Sequence, residues 1–372
     1  MTNIASENAV AIQPRTTIRI LSLDGGGTRG LSSLIVLREL MEKVAIRKDI
    51  VMHDLIRPSD HFDLIVGTGT GGISALFLGR LRMTVNEAID AYQQVVKTAY
   101  QTPNTASGVL HLLTPSHSSL ERHLGDIVER FLNDRDAPLY GPLDDSSGCR
   151  TAILSCTSAD ASAPPYIFRS YATSLPHCTV LEVARASIAL AEQSSVSLGN
   201  PPVQFISASL VGYNNPAEVA YLEAGNIWPR HSIGCLVSLG TGLQKIVQLE
   251  GKFRQQIQAW ENILRECEDV HRRIYVSRLQ RDMAYFRFNV PRGLHDVDIR
   301  ERTESASHIA GITSGYLRNP ETNDLLSSCS QTLIGELGLG ILWSALSEHV
   351  RNYRKQGAFG GKKHPTLNLL CR

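Results

Sequence analysis

The fold is decided by residues 62–78, which read FDLIVGTGTGGISALFL. The first five residues are mainly apolar and have the length of a buried strand, and the last six have the composition of a packed helix. Between them lies a glycine cluster, which ends the strand and turns the chain sharply into the helix. The stretch therefore predicts a strand, a tight turn and a helix.

A second unit of the same kind precedes this one. Residues 17–23 form a β-rich run, and residues 24–30 then read DGGGTRG. From residue 31 to residue 44, apolar side chains recur on one face of a predicted helix. Two such units predict an α/β fold with a mostly parallel central sheet, whose loops of functional interest lie at the carboxyl edge of the strands.

The remaining pattern extends the same fold. Further strands are predicted at residues 150–155, 166–171 and 232–242, and helices at residues 84–100, 119–132, 179–191 and 255–283.

Composition excludes several classes of partner. The 372 residues include 37 basic and 36 acidic side chains, a net charge of +1, so we expect neither nucleic acid nor an anionic membrane as an obligatory partner. The seven cysteines show no C-x-x-C spacing, which is typical of reduced thiols and predicts a cytoplasmic protein. No apolar stretch is long enough to predict a membrane span.

The loop at residues 24–30, named here the glycine loop, offers backbone N–H groups to a ligand. Three adjacent glycines, Gly25, Gly26 and Gly27, allow a close approach to the start of a helix, with Thr28 and Arg29 following. The loop lacks the spacing of nucleotide-binding motifs, so we expect no cofactor and no metal. An oxyanion hole is the favoured interpretation. Glycines that only let the sheet and helix pack together remain the alternative.

Residues 67–72, named here the elbow, lie in the strand–turn–helix context of a G-x-S-x-G nucleophile. The residue at the tip is Gly69, which has no side chain and cannot attack a substrate. Thr68 and Thr70 flank the tip but do not occupy it. Glycine relieves the backbone strain that a nucleophile elbow imposes on other residues.

The motifs and their order resemble the patatin-like phospholipases, especially their fungal branch. The glycine loop is similar to the family's DGGGxRG oxyanion-hole motif, and the elbow follows at the family's usual separation. Residues 78–83, 212–216, 235–242 and 286–294 are similar to further landmarks. The resemblance implies a three-layer α/β/α fold over residues 17–330. Outside it we expect a flexible leader at residues 1–16 and a C-terminal extension at residues 331–372.

The family implies a Ser–Asp dyad that cleaves acyl esters without a histidine, and this chain departs from it. Gly69 stands in place of the serine, and Ser207, in the segment FISASL, stands in place of the aspartate of F-x-D-G-[GA]-L. Ile188 and Ala191 replace a small polar residue and a proline. These combined departures predict a natural loss of hydrolysis.

The retained glycine loop and the missing dyad together suggest a repurposed, cofactor-free enzyme of fungal specialised metabolism. The loop would polarise a carbonyl of an apolar terpenoid, polyketide or lipid during a cyclisation or Diels–Alder-type cycloaddition. The side chains and backbone predicted to bind that substrate are Thr68, Gly69, Thr70, Ile188, Ser207 and Ser209. A lipid acyl hydrolase and a non-catalytic lipid-binding or signalling pseudoenzyme are the two alternatives.

Overall fold

A mostly parallel sheet forms the middle layer of the computed structural model, which describes residues 17–99, 117–141, 148–171, 178–189, 195–245, 249, 253–281, 283–297 and 304–335. Within these residues the strands are β1 Thr17–Leu23, β2 Leu64–Thr68, β3 Arg150–Thr157, β4 Tyr166–Arg169, β5 Val196–Leu198, β6 Val203–Ser207, β7 Ser232–Leu239 and β8 Ala284–Phe288.

The strand order places the two predicted glycine turns side by side. The order is β5-β6-β3-β2-β1-β7-β8, and β4 pairs with β3. The strands β3, β2, β1, β7 and β8 run parallel, whereas β4 and β6 are antiparallel to β3. Leu23 of β1 lies in register with Gly67 of β2 and Leu239 of β7. The glycine loop, the elbow and the end of β7 therefore leave the sheet at one level.

Helices cover both faces of this sheet. Their bounds are α1 Gly30–Arg47, α2 Thr70–Ala75, α3 Val85–Ala99, α4 His117–Leu132, α5 Val180–Ile188, α6 Ala217–Ile227, α7 Phe253–Leu264, α8 Glu268–Arg281, α9 Glu304–Leu317 and α10 Pro320–Ile334. None of the described helices is long and apolar enough to cross a membrane.

Alternating strand residues divide the core into two clusters. Leu21 and Leu23 of β1 belong to the cluster formed with α1, α3, α4, α5, α9 and α10. Ile18 and Ile20, which point to the opposite face, pack with α6 and α8. A strand buried on both faces is typical of a parallel sheet between helical layers, so the predicted α/β fold with its mostly parallel central sheet is confirmed.

The predicted helix at residues 255–283 is wrong, because the chain breaks there into α7 and α8. The Glu266 carboxylate accepts hydrogen bonds from the backbone N–H groups of Glu268 and Asp269, both at 2.8 Å, and so caps the start of α8. The charge-rich sequence runs through this cap without a glycine or proline to mark it.

The structure can be compared with only one of the two predicted domain boundaries. The division after residue 330 lies inside α10, which runs to Ile334. The predicted leader at residues 1–16 lies outside the described residues. So do Ala191 and the part of the predicted extension that begins at residue 336.

Candidate functional site

The elbow has the backbone of a nucleophile turn, with glycine at its tip. Gly69 joins β2 to α2 with φ +55° and ψ −133°, a conformation that strains any residue with a Cβ. Its carbonyl accepts hydrogen bonds from the Gly72 N–H at 3.0 Å and from Ser187 Oγ of α5 at 2.7 Å. The elbow is therefore fixed both by its own helix and by α5.

Two of the three glycines Gly25, Gly26 and Gly27 use their N–H groups within the protein. The Gly25 N–H donates to the Asn214 carbonyl at 3.1 Å, and the Gly26 N–H donates to Thr70 Oγ1 at 3.3 Å. Gly27 adopts φ +57°, and among the described residues its N–H has no acceptor. Because Gly27 also lines the cleft described below, its N–H is the candidate donor to a ligand among the three glycines.

Side chains from α2 and α3 hold the loop at Gly27. The Tyr92 hydroxyl of α3 donates to the Gly27 carbonyl at 2.5 Å. Thr70 Oγ1 donates to the same carbonyl at 3.4 Å, while it accepts from the Gly26 N–H. The orientation of the Gly27 peptide therefore depends on two hydroxyl groups that lie far from it in the sequence.

Packing alone requires glycine at two loop positions. A Cβ on Gly26 would fall inside the Thr241 side chain, whose hydroxyl donates to the Gly25 carbonyl at 2.9 Å. A Cβ on Gly25 would lie 2.6 Å from Asn214 Oδ1 and 2.9 Å from Ser209 Cβ. The retention of these glycines is consequently explained by their neighbours, whatever the loop binds.

Ser207 stands where the resemblance implies a carboxylate, and Ser209 lies beside it next to the elbow. Ser207 is buried at the end of β6, and Ser209 follows it in a single helical turn, Ala208–Leu210. Their hydroxyl oxygens are 2.9 Å apart and share a hydrogen bond. Ser209 Oγ lies 2.8 Å from the position that a Cβ on Gly69 would take. Ser209 thus leaves no room for a Cβ at the elbow tip unless its own side chain shifts.

The loop, the elbow and the serine pair line one open cleft with a cavity volume of ≈ 40 Å³. It contains most of the predicted site residues: Gly25, Gly26, Gly27, Arg29, Gly69, Thr70, Ile188, Ser207 and Ser209. Thr28 and Thr68 are buried and are not among the lining residues.

Three residues that the sequence did not single out also line this cleft: Leu210, Asn214 and Arg265. Asn214 belongs to the landmark at residues 212–216, which was a signal for it, whereas Arg265 lies in the unforeseen break between α7 and α8. Among the described lining residues there is no carboxylate and no imidazole. The cleft as described offers hydrogen-bond donors and hydroxyl groups, but no general base.

Asp24, the first residue of the glycine loop, belongs to a buried network of charged side chains. Asp24, only 1% exposed, accepts a hydrogen bond at Oδ2 from Arg287 Nη2 at 2.7 Å. Arg287 also donates to Glu268 Oε1 at 2.8 Å and to Ser238 Oγ at 2.9 Å. Burial raises the pKa of Asp24 to about 6, because it outweighs the charge of Arg287. Burial also acts on Glu268, but there Arg287 prevails and lowers the pKa.

The family model and the relatives that match this chain all carry phospholipase names. The family model described as patatin-like phospholipase matches residues 21–220. Calcium-independent phospholipase A2-gamma of Rattus norvegicus is 30% identical over 289 residues, which cover 73% of this chain and 35% of that protein. The cGAMP-activated phospholipase of Escherichia coli (strain TW11681) is 44% identical over 135 residues, or 35% of this chain and 36% of that protein.

A solved structure and the lengths of these relatives complete the comparison. The crystal structure of VipD from Legionella pneumophila matches with a TM-score of 0.37 and 12% identity, over 85% of this chain and 67% of that one. The chain spans about a third of the length of the two relatives named above. Because the family model covers more than half of the sequence, this chain belongs to the patatin-like phospholipase family.

Proposed function

We propose that this protein is a lipid-binding member of its family that holds the carbonyl of an acyl-type ligand without forming an acyl-enzyme. One observation carries the proposal: the elbow tip is Gly69, and Ser209 Oγ lies 2.8 Å from the position of a Cβ there, so that a nucleophilic side chain would require Ser209 to shift.

The chemistry of the cleft supports binding rather than hydrolysis. By resemblance to the family, ester cleavage needs a serine at residue 69 and an aspartate at residue 207. Gly69 supplies no nucleophile, and the Ser207 hydroxyl, bonded to Ser209, is not a base near neutral pH. We infer that both dyad members have been lost, as the sequence predicts.

The cleft nevertheless suits an acyl group. The Gly27 N–H can donate to a carbonyl oxygen, and Ile188 and Leu210 contribute apolar wall. The relatives are named as phospholipases, which favours a lipid over a terpenoid or polyketide. A cyclisation or Diels–Alder-type reaction has less support, because packing already accounts for the retained glycines that suggested it.

Lipid acyl hydrolysis is the second candidate, and the family model and the phospholipase names favour it. It would require another nucleophile in the cleft. Ser209, which lines the cleft with its Oγ 2.8 Å from the position of a Cβ on Gly69, is the candidate, and we expect its substitution by alanine to abolish any turnover that this candidate predicts. The fungal affiliation and the cytoplasmic location remain predictions.

One experiment separates the two candidates. The full chain is incubated with phosphatidylcholine and with p-nitrophenyl butyrate, and binding of a short-chain alkyl methyl ketone, soluble as a monomer, is measured by calorimetry. We expect ketone binding without turnover, and loss of binding in Ser209→Leu, which fills the cleft, but not in Ser162→Leu at an exposed position. Turnover that disappears in Ser209→Ala would establish hydrolysis instead. Absence of ketone binding would refute the proposed ligand site.

A further inference from the structure

The end of α7 exposes three large apolar side chains on one face. Trp260, Ile263 and Leu264 are 57%, 39% and 47% exposed, and their spacing places them together on the helix surface. Ala259 is buried on the side that packs against the protein. These three side chains are named here the apolar face of α7.

The apolar face of α7 adjoins the rim of the cleft. Arg265, the next residue along the chain, lines the cleft. Its carbonyl accepts hydrogen bonds from Asn214 Nδ2 and from Gln244 Nε2, each at 2.9 Å, and Asn214 itself lines the cleft. The end of α7 is thereby tied to the wall of the site, so whatever binds the apolar face lies next to the cleft entrance.

We propose that the apolar face of α7 docks on a lipid bilayer and places the cleft entrance at its surface. The inference goes beyond the proposed function but rests on its lipid ligand, since an acyl chain must pass from a bilayer into the cleft. Tryptophan with long aliphatic side chains is the composition of surfaces that insert at the membrane–water interface. With a net charge of +1, the chain gains little from electrostatic attraction, so apolar insertion has to supply the affinity.

The size of the face favours a bilayer over a second copy of the chain. Three side chains about half exposed present on the order of 300 Å², judged from the area that large side chains bury. A stable protein interface needs roughly 800 Å² from each partner. A face of this size is too small to hold a dimer but is sufficient for shallow insertion beside a lipid-binding cleft.

Vesicle flotation tests the inference with a matched control. The full chain is mixed with phosphatidylcholine vesicles and compared with a variant that combines Trp260→Ser, Ile263→Ser and Leu264→Ser. The control combines Val51→Ser, Met52→Ser and Leu55→Ser, three exposed apolar positions after α1, at the opposite edge of the sheet. We expect vesicle binding to fall about tenfold or more in the α7 variant, from the apolar area removed, and to stay unchanged in the control.

A second measurement does not depend on a triple substitution. Brominated lipids should quench the fluorescence of the wild-type chain, and the quenching should be lost in Trp260→Phe. Equal flotation of all three proteins, no flotation of the wild type, or quenching that survives Trp260→Phe would overturn the inference. So would a wild-type dimer that the α7 variant converts to a monomer without flotation, because the face would then join two copies.

The soluble ketone keeps the two proposals separate. The α7 variant should bind this monomeric ligand as the wild type does, since none of the three residues lines the cleft. Ketone binding without flotation refutes docking alone, and flotation without ketone binding refutes the proposed ligand site alone.

Discussion

Ser209 and Gly69 share one space: Ser209 Oγ lies 2.8 Å, and Ser209 Cβ 3.1 Å, from the position of a Cβ on residue 69. The Ser207 hydroxyl holds Ser209 there through a 2.9 Å hydrogen bond. The absence of a side chain at the elbow and the presence of one at residue 209 are therefore coupled. The family motif that residues 205–210 resemble has glycine or alanine at residue 209, neither of which carries a hydroxyl.

Substitution of Gly69 by serine should destabilise the protein, and Ser209→Gly should partly reverse the effect. The φ of +55° alone costs about 1–3 kcal/mol for a residue with a Cβ, and displacement of Ser209 adds to it. Urea unfolding of both single variants and the double variant measures the coupling. Effects that simply add would show that the two side chains do not compete.

Hydrolysis should not return with the nucleophile alone. We expect Gly69→Ser to leave p-nitrophenyl butyrate unhydrolysed, because residue 207 is still a serine and cannot act as the general base. Gly69→Ser combined with Ser207→Asp and Ser209→Gly should give weak turnover, since it supplies both dyad members and frees their space.

The control for this experiment is Gly69→Ala with the same two partner changes, which has the space and the base but no nucleophile. Strong activity from Gly69→Ser by itself would contradict the prediction and would mean that another residue already acts as base.

The sequence predicted the parts of the site that local composition determines. The apolar strands, the glycine turns and the helices that follow are encoded within short windows, so Gly69 could be placed from the local pattern, whereas Ser207 could be placed only through the family resemblance. Tyr92, Thr241 and the hydroxyl of Ser187 could not, because they reach the site from elements far along the chain. Packing against Thr241 is also what makes Gly26 obligatory, and no local pattern shows it.

Gly26→Pro, the substitution that the motif alone suggests for removing a donor, should fail to fold. Its ring would enter the space of the Thr241 side chain, and the φ of −178° at Gly26 is far from the −65° or so that proline requires. We expect insoluble expression, while Thr241→Ala in the wild-type sequence remains soluble. Soluble, cooperatively unfolding Gly26→Pro would contradict the packing seen here.

Tyr92→Phe is a milder test of the loop. It removes the hydroxyl that donates to the buried Gly27 carbonyl at 2.5 Å, which should lower the free energy of unfolding by about 0.5–1.5 kcal/mol. Because this bond orients the Gly27 peptide, affinity for the methyl ketone should also fall. Tyr140→Phe, at an exposed position, is the control. Unchanged affinity in Tyr92→Phe would show that the Gly27 N–H does not contact the ligand.

Thr70→Val should weaken the loop as well, although the flanking position of Thr70 in the sequence predicts a minor role. The change leaves the partly buried Gly26 N–H without its acceptor, which costs at most the 1–3 kcal/mol or so of a fully buried donor left unpaired. Thermal unfolding of Thr70→Val beside Thr70→Ser, which keeps the hydroxyl, separates loss of the bond from loss of the methyl group. Equal stability of the two variants would refute the bridging role.

Stability should fall as the pH rises through the titration of Asp24. Burial raises the pKa of this carboxyl from 3.8 to about 6, so the folded state binds its proton more tightly than the unfolded state does. The resulting stabilisation is complete below about pH 4 and is lost by about pH 6, a change of up to about 3 kcal/mol by linkage. The difference in unfolding free energy between the wild type and Asp24→Asn, followed in urea across this interval, isolates the contribution of Asp24 from those of other carboxyls.

Glu268→Gln should give a difference of the opposite sign, because Arg287 lowers the pKa of Glu268 and the contribution of Glu268 is lost on acidification. Parallel curves for the wild type and Asp24→Asn would mean that Asp24 does not titrate in this range and that Arg287 keeps it ionised beneath the glycine loop.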